Sequence, residues 1–436
     1  MSSTAILFLA FGVSILLYVP IAYALGIGVL AVMLINGTPP VDMFFSTLYT
    51  SGDSFTILAV PFFVLSGDVM SRCGISKRLV NMARALLGNT TGSMGMVTVM
   101  ACMFFAAISG SGLATAAAIG GIMIPVMTAD NYDTPYACAL TSCSSAIGPV
   151  IPPSVPFIIY GVLVSVSVTD LFLAGAIPGI IMGAALMIAN YLVCKKKGYG
   201  NKKIKEKLSR RDRLKVIWDA KWSILVPIII LGGIYSGIFT PTEAAVVATV
   251  YSLIIGLFVY KELKITDMPG IIKSSSISVG LSLALLGFAT IFGRILVLER
   301  IPASIADAIY AATTNKFMVL MLINAALLVA GMFLETIAAI TITAPILLAI
   351  AQPYGISPLH LGVIMVCNLA IGLSTPPVGA SLFVSAAIGK VKIEETFKPL
   401  IILLVASIAA LLVITYCEPL VTFLPNLLGG GKIKPY

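Results

Sequence analysis

Four short stretches of the 436-residue chain combine hydroxyl or carboxyl side chains with glycines or prolines inside apolar sequence. They lie at 109–115 (SGSGLAT), 144–154 (SSAIGPVIPPS), 331–336 (GMFLET) and 372–379 (GLSTPPVG). Glycine and proline interrupt helices and leave backbone carbonyl and N–H groups without helical partners. Oxygen ligands of this kind suit Na⁺ or another hard cation, and free N–H groups suit a carboxylate.

The first stretch places Ser109, Ser111 and Thr115 around two glycines in the middle of an apolar run. We expect one half-helix to end just before this tip and another to begin just after it. Carbonyls at the first helix end would then face a cation, and N–H groups at the second would face a carboxylate. Small-residue helix packing is the structural alternative, because it uses the same residue types.

The second stretch carries three prolines within five residues, Pro149, Pro152 and Pro153. One proline is enough to kink a helix, so three favour an unwound segment whose carbonyls are available to a cation. The fourth stretch repeats this logic, and its Ser374 and Thr375 add hydroxyl oxygens.

The third stretch contains Glu335, far from either end of its apolar run. A charge at such a depth costs roughly 2.5–3.5 kcal/mol, which favours a binding role or a charged partner. Arg294 is the candidate partner, and capping of the returning half-helix by Glu335 or Thr336 is the alternative. We expect the first stretch to meet the second and the third to meet the fourth, with Asn368 facing the latter site.

The elements that hold these stretches are predicted to be membrane helices. The chain is 59% hydrophobic and 10% charged, whereas soluble domains are about 45–50% apolar and about 25% charged. Apolar runs recur from Ile6 to Leu424, each long enough to cross a hydrocarbon core of about 30 Å. Because lipid offers backbone groups no partners, we predict an all-α polytopic membrane protein.

Thr240 or Thr242 shortly before Glu243 resembles the start of a helix. We therefore predict that Glu243 takes part in a cap at the N-terminus of the helix that follows.

A basic segment at 195–221 divides the chain into two halves with the same order of apolar runs. Each half has plain spans, then an interrupted stretch, then a span broken by prolines, then a final plain span. The predicted parts are a first repeat at 1–194 with a hairpin at 93–128 and a broken helix at 135–164, and a second repeat at 222–436 with a hairpin at 317–351 and a broken helix at 359–389.

Sequence and charge both support two inverted repeats. IGPVIPP at 147–153 and IGLSTPP at 371–377 share Ile, Gly, Pro and Pro at an offset of 224. If both interrupted stretches are re-entrant hairpins, each half crosses the membrane five times and 22 of the 27 Lys and Arg residues face the cytoplasm, as the positive-inside rule expects. This topology places the segment 195–221 in the cytoplasm and both termini in the periplasm.

The net charge of +9 does not indicate a nucleic-acid partner. Residues 195–215 hold eleven Lys and Arg residues and two acidic residues. The net charge of this segment is therefore equal to the +9 of the whole chain. A basic loop between membrane spans indicates contact with anionic membrane lipid instead.

Together with SGIFTPTEAA at 236–245, the motifs SGSGLATAAAIG at 109–120, IGPVIPPS at 147–154 and STPPVG at 374–379 resemble the large membrane subunit of the tripartite ATP-independent periplasmic (TRAP) transporters. The resemblance covers essentially the whole chain. It implies an elevator-type fold of the ion-transporter superfamily in the bacterial inner membrane, coupled to Na⁺ at two or more sites, with no organic cofactor. It also implies a separate small four-helix membrane subunit and a periplasmic binding protein that delivers a C4-dicarboxylate, sialic acid or a similar carboxylate.

The resemblance also implies site residues. One Na⁺ site would use Ser109, Gly110, Ser111, Ser145, Gly148 and Val150, and a second would use Gly331, Glu335, Gly372, Ser374 and Thr375. The substrate carboxylate would lie between the two tips, near Ser111, Thr115, Pro152, Ser154, Glu335 and Pro376.

Three other functions are weaker interpretations of the sequence. A stand-alone Na⁺/dicarboxylate symporter would share the inverted repeat and differ by having no binding protein. A channel fits the composition, but two occluding hairpins favour alternating access. An intramembrane enzyme is disfavoured, because HExxH and GxSxG are missing and His360 is the single histidine.

Overall fold

The computed structural model describes residues 2–37, 39–87, 90–200 and 209–428, and these residues form helices and connecting turns without a β-strand. Within the predicted basic linker at 195–221, residues 201–208 lie outside the described residues. Lys432 and Lys434 near the end of the chain lie outside them as well.

The first half of the chain consists of short and long helices in close succession. In the described residues up to Gly200 they are α1 (Ser3–Leu16), α2 (Ile21–Asn36), α3 (Val41–Gly52), α4 (Ala59–Arg72), α5 (Ile75–Leu87), α6 (Ser93–Ser109), α7 (Gly112–Ala129), α8 (Thr134–Ser145), α9 (Val155–Val164) and α10 (Val168–Lys197).

The second half begins with one helix in the basic segment and continues with ten more in its described residues. The helices are α11 (Arg210–Asp219), α12 (Lys221–Tyr235), α13 (Pro241–Ile254), α14 (Met268–Leu298), α15 (Ile301–Ala312), α16 (Lys316–Phe333), α17 (Thr336–Ala351), α18 (Pro358–Gly372), α19 (Ala380–Gly389), α20 (Ile393–Tyr416) and α21 (Glu418–Leu428).

The bounds of equivalent helices differ by about 224 residues. Adding 224 to the bounds of α6 gives 317–333, where α16 runs from 316 to 333. The same shift takes α7 to 336–353, close to α17, and α8 to 358–369, close to α18. The numerical offset between the two proline motifs therefore applies to helices as well as to residues.

Helix breaks occur at the first two predicted interruptions, which confirms the two half-helices expected around the first tip. Gly110 adopts a left-handed conformation with φ +60° and ends α6, and Ser111 caps α7 by accepting from the Ala114 N–H. Ser154 caps α9 in the same way, accepting from the Phe157 N–H. The cap predicted for Glu243 is also confirmed, because Thr240 and Glu243 form a reciprocal capping box at the start of α13.

In the described residues, seven helical segments are long and apolar enough to cross a membrane. Five of them correspond to α7, α10, α16, α17 and α20, and the others include α13 and α14 with their adjoining turns. Large apolar side chains such as Leu34, Ile228 and Phe258 are exposed on the outer surface. An exposed apolar surface of this extent fits contact with lipid rather than water.

The two halves interleave around a common core. The returning arm of each hairpin packs on the second part of the other half's broken helix, α7 on α19 and α17 on α9. In an outer layer α4 packs on α13 and α2 on α14. The final spans α10 and α20 pack on each other and on the broken helix α8. The first hairpin tip contacts the proline segment of its own half at Gly148 and the outer layer at Gly67 on α4.

The seven cysteines are free, and six of them are buried among apolar neighbours. Among the described residues no group of His, Cys, Asp and Glu is arranged to hold a metal ion.

Candidate functional site

The first hairpin tip lies directly on the first proline segment, and glycines make this contact possible. A Cβ atom added at Gly148 would lie 2.7 Å from the Ser111 carbonyl oxygen and 2.9 Å from the Gly112 nitrogen. A Cβ atom at Gly110 would lie 2.4 Å from the Pro153 carbonyl oxygen. Since real Cβ atoms do not approach backbone so closely, only glycine fits at either position.

Two hydroxyl groups and a backbone carbonyl form a compact polar cluster at this tip. The hydroxyl oxygens of Ser109 and Thr115 lie 3.2 Å apart, and the Thr115 hydroxyl donates to the Ser111 carbonyl at 2.7 Å. Ser109 and Thr115 are buried, and Ser111 is half-buried. The tip therefore presents several oxygen atoms within a few ångströms of one another, next to the N-terminal end of α7.

Two other predicted residues of the proline segment also face the tip. The Ser145 carbonyl oxygen would lie 3.3 Å from a Cβ atom at Gly112. The Cα atom of Ser154 would lie 3.3 Å from a Cβ atom at Gly110, and its hydroxyl donates to the Pro149 carbonyl. The structure thus brings Ser109, Gly110, Ser111, Thr115, Ser145, Gly148 and Ser154 together.

Val150 lies on the side of the proline segment that faces α10. The Val150 carbonyl oxygen would lie 2.6 Å from a Cβ atom at Gly175, so it faces α10. Pro152 is buried and joined to Pro153 by a cis peptide bond.

The second hairpin meets the second proline segment through Gly331, in the last turn of α16. A Cβ atom at Gly372 would lie 2.5 to 2.7 Å from the Cα, C and O atoms of Gly331. A Cβ atom at Gly331 would in turn lie 3.3 Å from the Leu369 carbonyl oxygen. The predicted meeting of the third and fourth stretches is thus a backbone contact between two glycines.

Glu335 sits at the turn of this second tip as the N-cap of α17. Its side chain accepts from the Ile337 N–H at 2.9 Å, so the capping alternative is confirmed. The proposed pairing with Arg294 is wrong. Arg294 on α14 donates to the Thr47 hydroxyl of α3 at 3.4 Å, and no ion pair involves Glu335 in the described part of the chain.

The hydroxyls of the second proline segment are directed elsewhere than expected. Ser374 donates to the Ser142 carbonyl of α8 at 2.9 Å and so joins the two halves. Thr375 donates to the Ile371 carbonyl in the last turn of α18, and the next residue, Pro376, is half-buried. Any contribution of this segment to a cation site would come mainly from backbone carbonyls.

Asn368 does not face the tip, so that expectation is wrong. Its side-chain amide donates to the side-chain oxygen of Asn324 at 2.7 Å and to the Asn324 carbonyl at 3.1 Å. Asn324 also donates to the Thr415 hydroxyl at 3.2 Å. Sequence reasoning missed this buried cluster, although a lone asparagine in the apolar arm at 317–331 was a signal for it.

Comparison with known proteins shows the family to which the chain belongs. The family model described as "Tripartite ATP-independent periplasmic transporter, DctM component" matches residues 8–420. The chain belongs to this family. It is therefore a multi-span membrane permease of the TRAP transporter class, a class of transporters rather than of enzymes.

Two named relatives and one solved structure show the extent of the similarity. The isethionate TRAP transporter permease protein of Oleidesulfovibrio alaskensis is 43% identical over 96% of this chain, and the chain spans 66% of that protein's length. The sialic acid TRAP transporter large permease protein of Vibrio cholerae is 38% identical over 95% of this chain and 96% of its own. The YdaH transporter of Alcanivorax borkumensis has a TM-score of 0.58 at 15% identity, covers 88% of this chain and 90% of its own, and shares the fold.

Equivalent positions of this TRAP permease carry the two tip contacts. Gly148 and Gly372 are 224 residues apart, and each lies against the tip of its own half. Ser111 and Glu335 have the same separation, and each caps the returning arm of its hairpin. The cis bonds Pro152–Pro153 and Pro376–Pro377 are also equivalent. The glycines, the caps and the cis bonds are thus equivalent, but the partners of the glycines are not. Gly148 lies against Ser111, whereas Gly372 lies against Gly331, whose equivalent in the first half is Ala107.

Proposed function

We propose that this chain is the large permease subunit of a Na⁺-coupled importer of a small organic acid. It acts in the bacterial inner membrane with a small four-helix membrane subunit and a periplasmic binding protein. The observation that carries the proposal is the pair of glycine-mediated contacts between hairpin tip and proline segment, at Gly148 and at Gly372, in a chain of the TRAP permease family.

Each contact is proposed to bind one Na⁺. Backbone carbonyls of Ser111, Ser145 and Gly331 lie at the contacts, and hard oxygen donors suit this ion better than a transition metal. The proposed ligands are Ser109, Gly110, Ser111, Ser145 and Gly148 at the first tip, and Gly331, Glu335, Gly372, Ser374 and Thr375 at the second. Val150 is left out of the first set because its carbonyl oxygen faces α10.

The substrate is proposed to bind between the two tips as an organic anion with a carboxylate or sulfonate group. Its neighbours would be Ser111, Thr115, Pro152, Ser154, Glu335 and Pro376. The N-terminal ends of α7, α9 and α17 lie at these tips and segments and favour a negative charge. The names of the relatives point in the same direction, because isethionate and sialic acid are both small organic anions.

The proposed mechanism is an elevator movement of one body against another. The repeats at 1–194 and 222–436 would be inverted, with the segment 195–221 in the cytoplasm and both termini in the periplasm. The moving body would contain both hairpins, both broken helices and the spans α10 and α20, which pack among them. The outer layer of α1–α4 and α12–α14 would be the scaffold. The 224-residue offset between helices of the two halves supports the repeats, and the interleaved packing supports the moving body.

Charge balance sets the expected effect of the membrane potential. Two Na⁺ ions and one monoanion carry a net charge of +1 inward, which yields about 2.3 kcal/mol per 100 mV. Uptake of a monoanion is therefore accelerated by an inside-negative potential, whereas two Na⁺ ions with a dianion are electroneutral.

Uptake into proteoliposomes tests the proposal. A binding assay on the cognate periplasmic protein first identifies the substrate. The permease is then reconstituted with its small subunit, and the labelled substrate is supplied together with the binding protein. We expect the labelled substrate to accumulate in the vesicles only when an inward Na⁺ gradient and the binding protein are both present. Uptake that needs neither Na⁺ nor the binding protein would overturn the proposal.

A further inference from the structure

A cleft of about 720 Å³ opens where α8 begins, α10 ends and α20 begins, away from both hairpin tips. Its walls combine apolar side chains with three lysines, Lys196, Lys197 and Lys398, and two carboxylates, Asp133 and Glu395. Nothing in the proposed transport mechanism uses this cleft.

One lysine and one carboxylate of the cleft already neutralise each other. Lys197 pairs with Asp133 at 3.4 Å and donates to the Tyr199 hydroxyl at 3.0 Å. Burial and the Asp133 carboxylate raise the pKa of Tyr199, so its hydroxyl stays protonated and donates to Asp133. The Asp133 charge is therefore compensated from within the protein.

The remaining charge of the cleft is positive. Lys196 and Lys398 are exposed, and neither forms an ion pair with another described residue. They come from different helices, and Glu395 is the one carboxylate beside them. Two exposed cations on facing helices suit a phosphate group, which each ammonium contacts as a point charge.

The apolar wall requires a ligand with a hydrocarbon part. Leu192 is 55% exposed and Ile402 is 45% exposed, and both line the cleft. A free phosphate ion would leave these side chains in water, whereas an acyl chain would cover them. Lys195, also in the last turn of α10, adds further positive charge at the same end of the helix.

We propose that this cleft binds an anionic glycerophospholipid, with its phosphate between Lys196 and Lys398 and an acyl chain along Leu192 and Ile402. Basic pockets between membrane helices on the cytoplasmic side suit such headgroups, and the lysine stems add apolar contact below the charge. The assignment to the cytoplasmic leaflet rests on the topology proposed above, but the lipid site itself does not.

Native mass spectrometry of the full-length chain in detergent tests the site. The protein is titrated with phosphatidylglycerol and, separately, with phosphatidylcholine of the same chain length. We expect preferential binding of phosphatidylglycerol and roughly a tenfold or greater loss of its affinity in Lys196→Gln/Lys398→Gln, the effect of removing two lysine contacts. Ile402→Trp, which fills the apolar wall without changing charge, is expected to weaken binding as well.

The matched control is Lys77→Gln/Lys273→Gln, which removes two exposed lysines that do not line the cleft. An equal loss in this control would mean general surface attraction and would overturn the proposal. Equal binding of both lipids would also overturn it, as would equal competition by water-soluble glycerophosphoglycerol. Loss of the lipid when the small subunit is added would show that protein covers the cleft, with the same consequence. None of these outcomes depends on Na⁺-driven uptake, so failure here is distinguishable from failure of the proposed function.

Discussion

At the scale of single residues, both hairpin tips are held by backbone contacts that only glycine permits. Gly148 lies against Ser111, and Gly372 lies against Gly331. No side chain separates the tip from the proline segment at these points, so carbonyl oxygens from two elements come close together. A site built from backbone oxygens depends on this spacing more than on any single polar side chain.

Gly148→Ala is expected to abolish most transport while the protein still folds. The new methyl group would meet the Ser111 backbone at 2.7 Å, and overpacking of this kind costs about 1–3 kcal/mol. A displaced tip should lower Na⁺-driven uptake by roughly tenfold or more. Gly121→Ala on α7 is the control, because a Cβ atom there meets nothing within 4 Å, and it should transport normally. Equal uptake by both variants would contradict the proposed tip geometry.

Glu335 offers a test that separates helix capping from ion binding. Ser caps α7 at the equivalent tip, so Glu335→Ser should keep the cap of α17 and the thermal stability. Removal of the carboxylate should nevertheless raise the Na⁺ concentration for half-maximal uptake by roughly tenfold, which corresponds to about 1.4 kcal/mol. Glu335→Ala should also lose about 1 kcal/mol of capping stability. If Glu335→Ser has the Na⁺ dependence of the unaltered protein, the carboxylate is a cap alone.

Residue types were predictable from the sequence at this scale, whereas side-chain partners were not. A glutamate inside an apolar run is costly unless it binds or pairs, and clustered glycines, prolines and serines interrupt a helix, so these residues could be selected from their positions in the sequence. Which helix each one faces depends on packing between distant segments. Asn368 therefore turned out to face Asn324, and Arg294 turned out to face Thr47.

At the scale of elements, α5 links the outer layer to the first hairpin, and a single arginine fixes it to the outer layer. Arg78 pairs with Glu262 at 2.7 Å and with Asp219 at 3.5 Å, and its guanidinium lies 3.6 Å from the centre of the Tyr260 ring. In the proposed elevator this helix would have to hold the scaffold at one end while the hairpin at its other end moves.

Arg78→Gln is expected to slow transport without changing the Na⁺ dependence. The variant removes both ion pairs and the ring contact, but leaves both hairpin tips intact. The maximal uptake rate should fall several-fold, roughly the effect of about 1 kcal/mol, and the Na⁺ concentration for half-maximal uptake should stay constant. Lys77→Gln, an exposed neighbour on the same helix, should behave like the unaltered protein. A shift in the Na⁺ dependence of Arg78→Gln would contradict this role.

The order of the elements was readable from the sequence because membrane helices leave long apolar runs and their interruptions are rich in Gly and Pro. The short helices α3, α5, α15 and α21 were not predicted, since they are too short or too polar to stand out as spans. The packing of α7 on α19 and of α17 on α9 could not be predicted either, because it depends on how the two halves meet.

At the scale of the whole molecule, the proposed elevator requires the first hairpin to slide against the outer layer. Gly67 on α4 lies at this boundary, and a Cβ atom there would be 3.6 Å from the Ser109 Cβ atom. Absence of a side chain on α4 lets the hairpin tip approach the outer layer closely.

A cross-link at this boundary should stop transport reversibly. The Cβ separation is within the range of about 3.5–4.5 Å that a disulfide requires, so Gly67→Cys/Ser109→Cys should form one under oxidation. Uptake should be lost on oxidation and return with dithiothreitol to the level of Ser109→Cys alone, whereas Ser109→Cys alone and Gly67→Cys alone should be insensitive to both treatments. Full uptake by the cross-linked protein would rule out movement between these two elements.

The most direct test of the Na⁺ sites is the thermal stability of the purified permease in NaCl against choline chloride at equal ionic strength. A ligand that binds only the folded protein stabilises it by about 2.7 kcal/mol at a concentration of 100 Kd. We predict a higher Tm in NaCl, a smaller difference in Gly148→Ala and in Gly372→Ala, and the full difference in Gly121→Ala. The same Tm in both salts, or a full Na⁺ effect in both variants at the tips, would contradict the account.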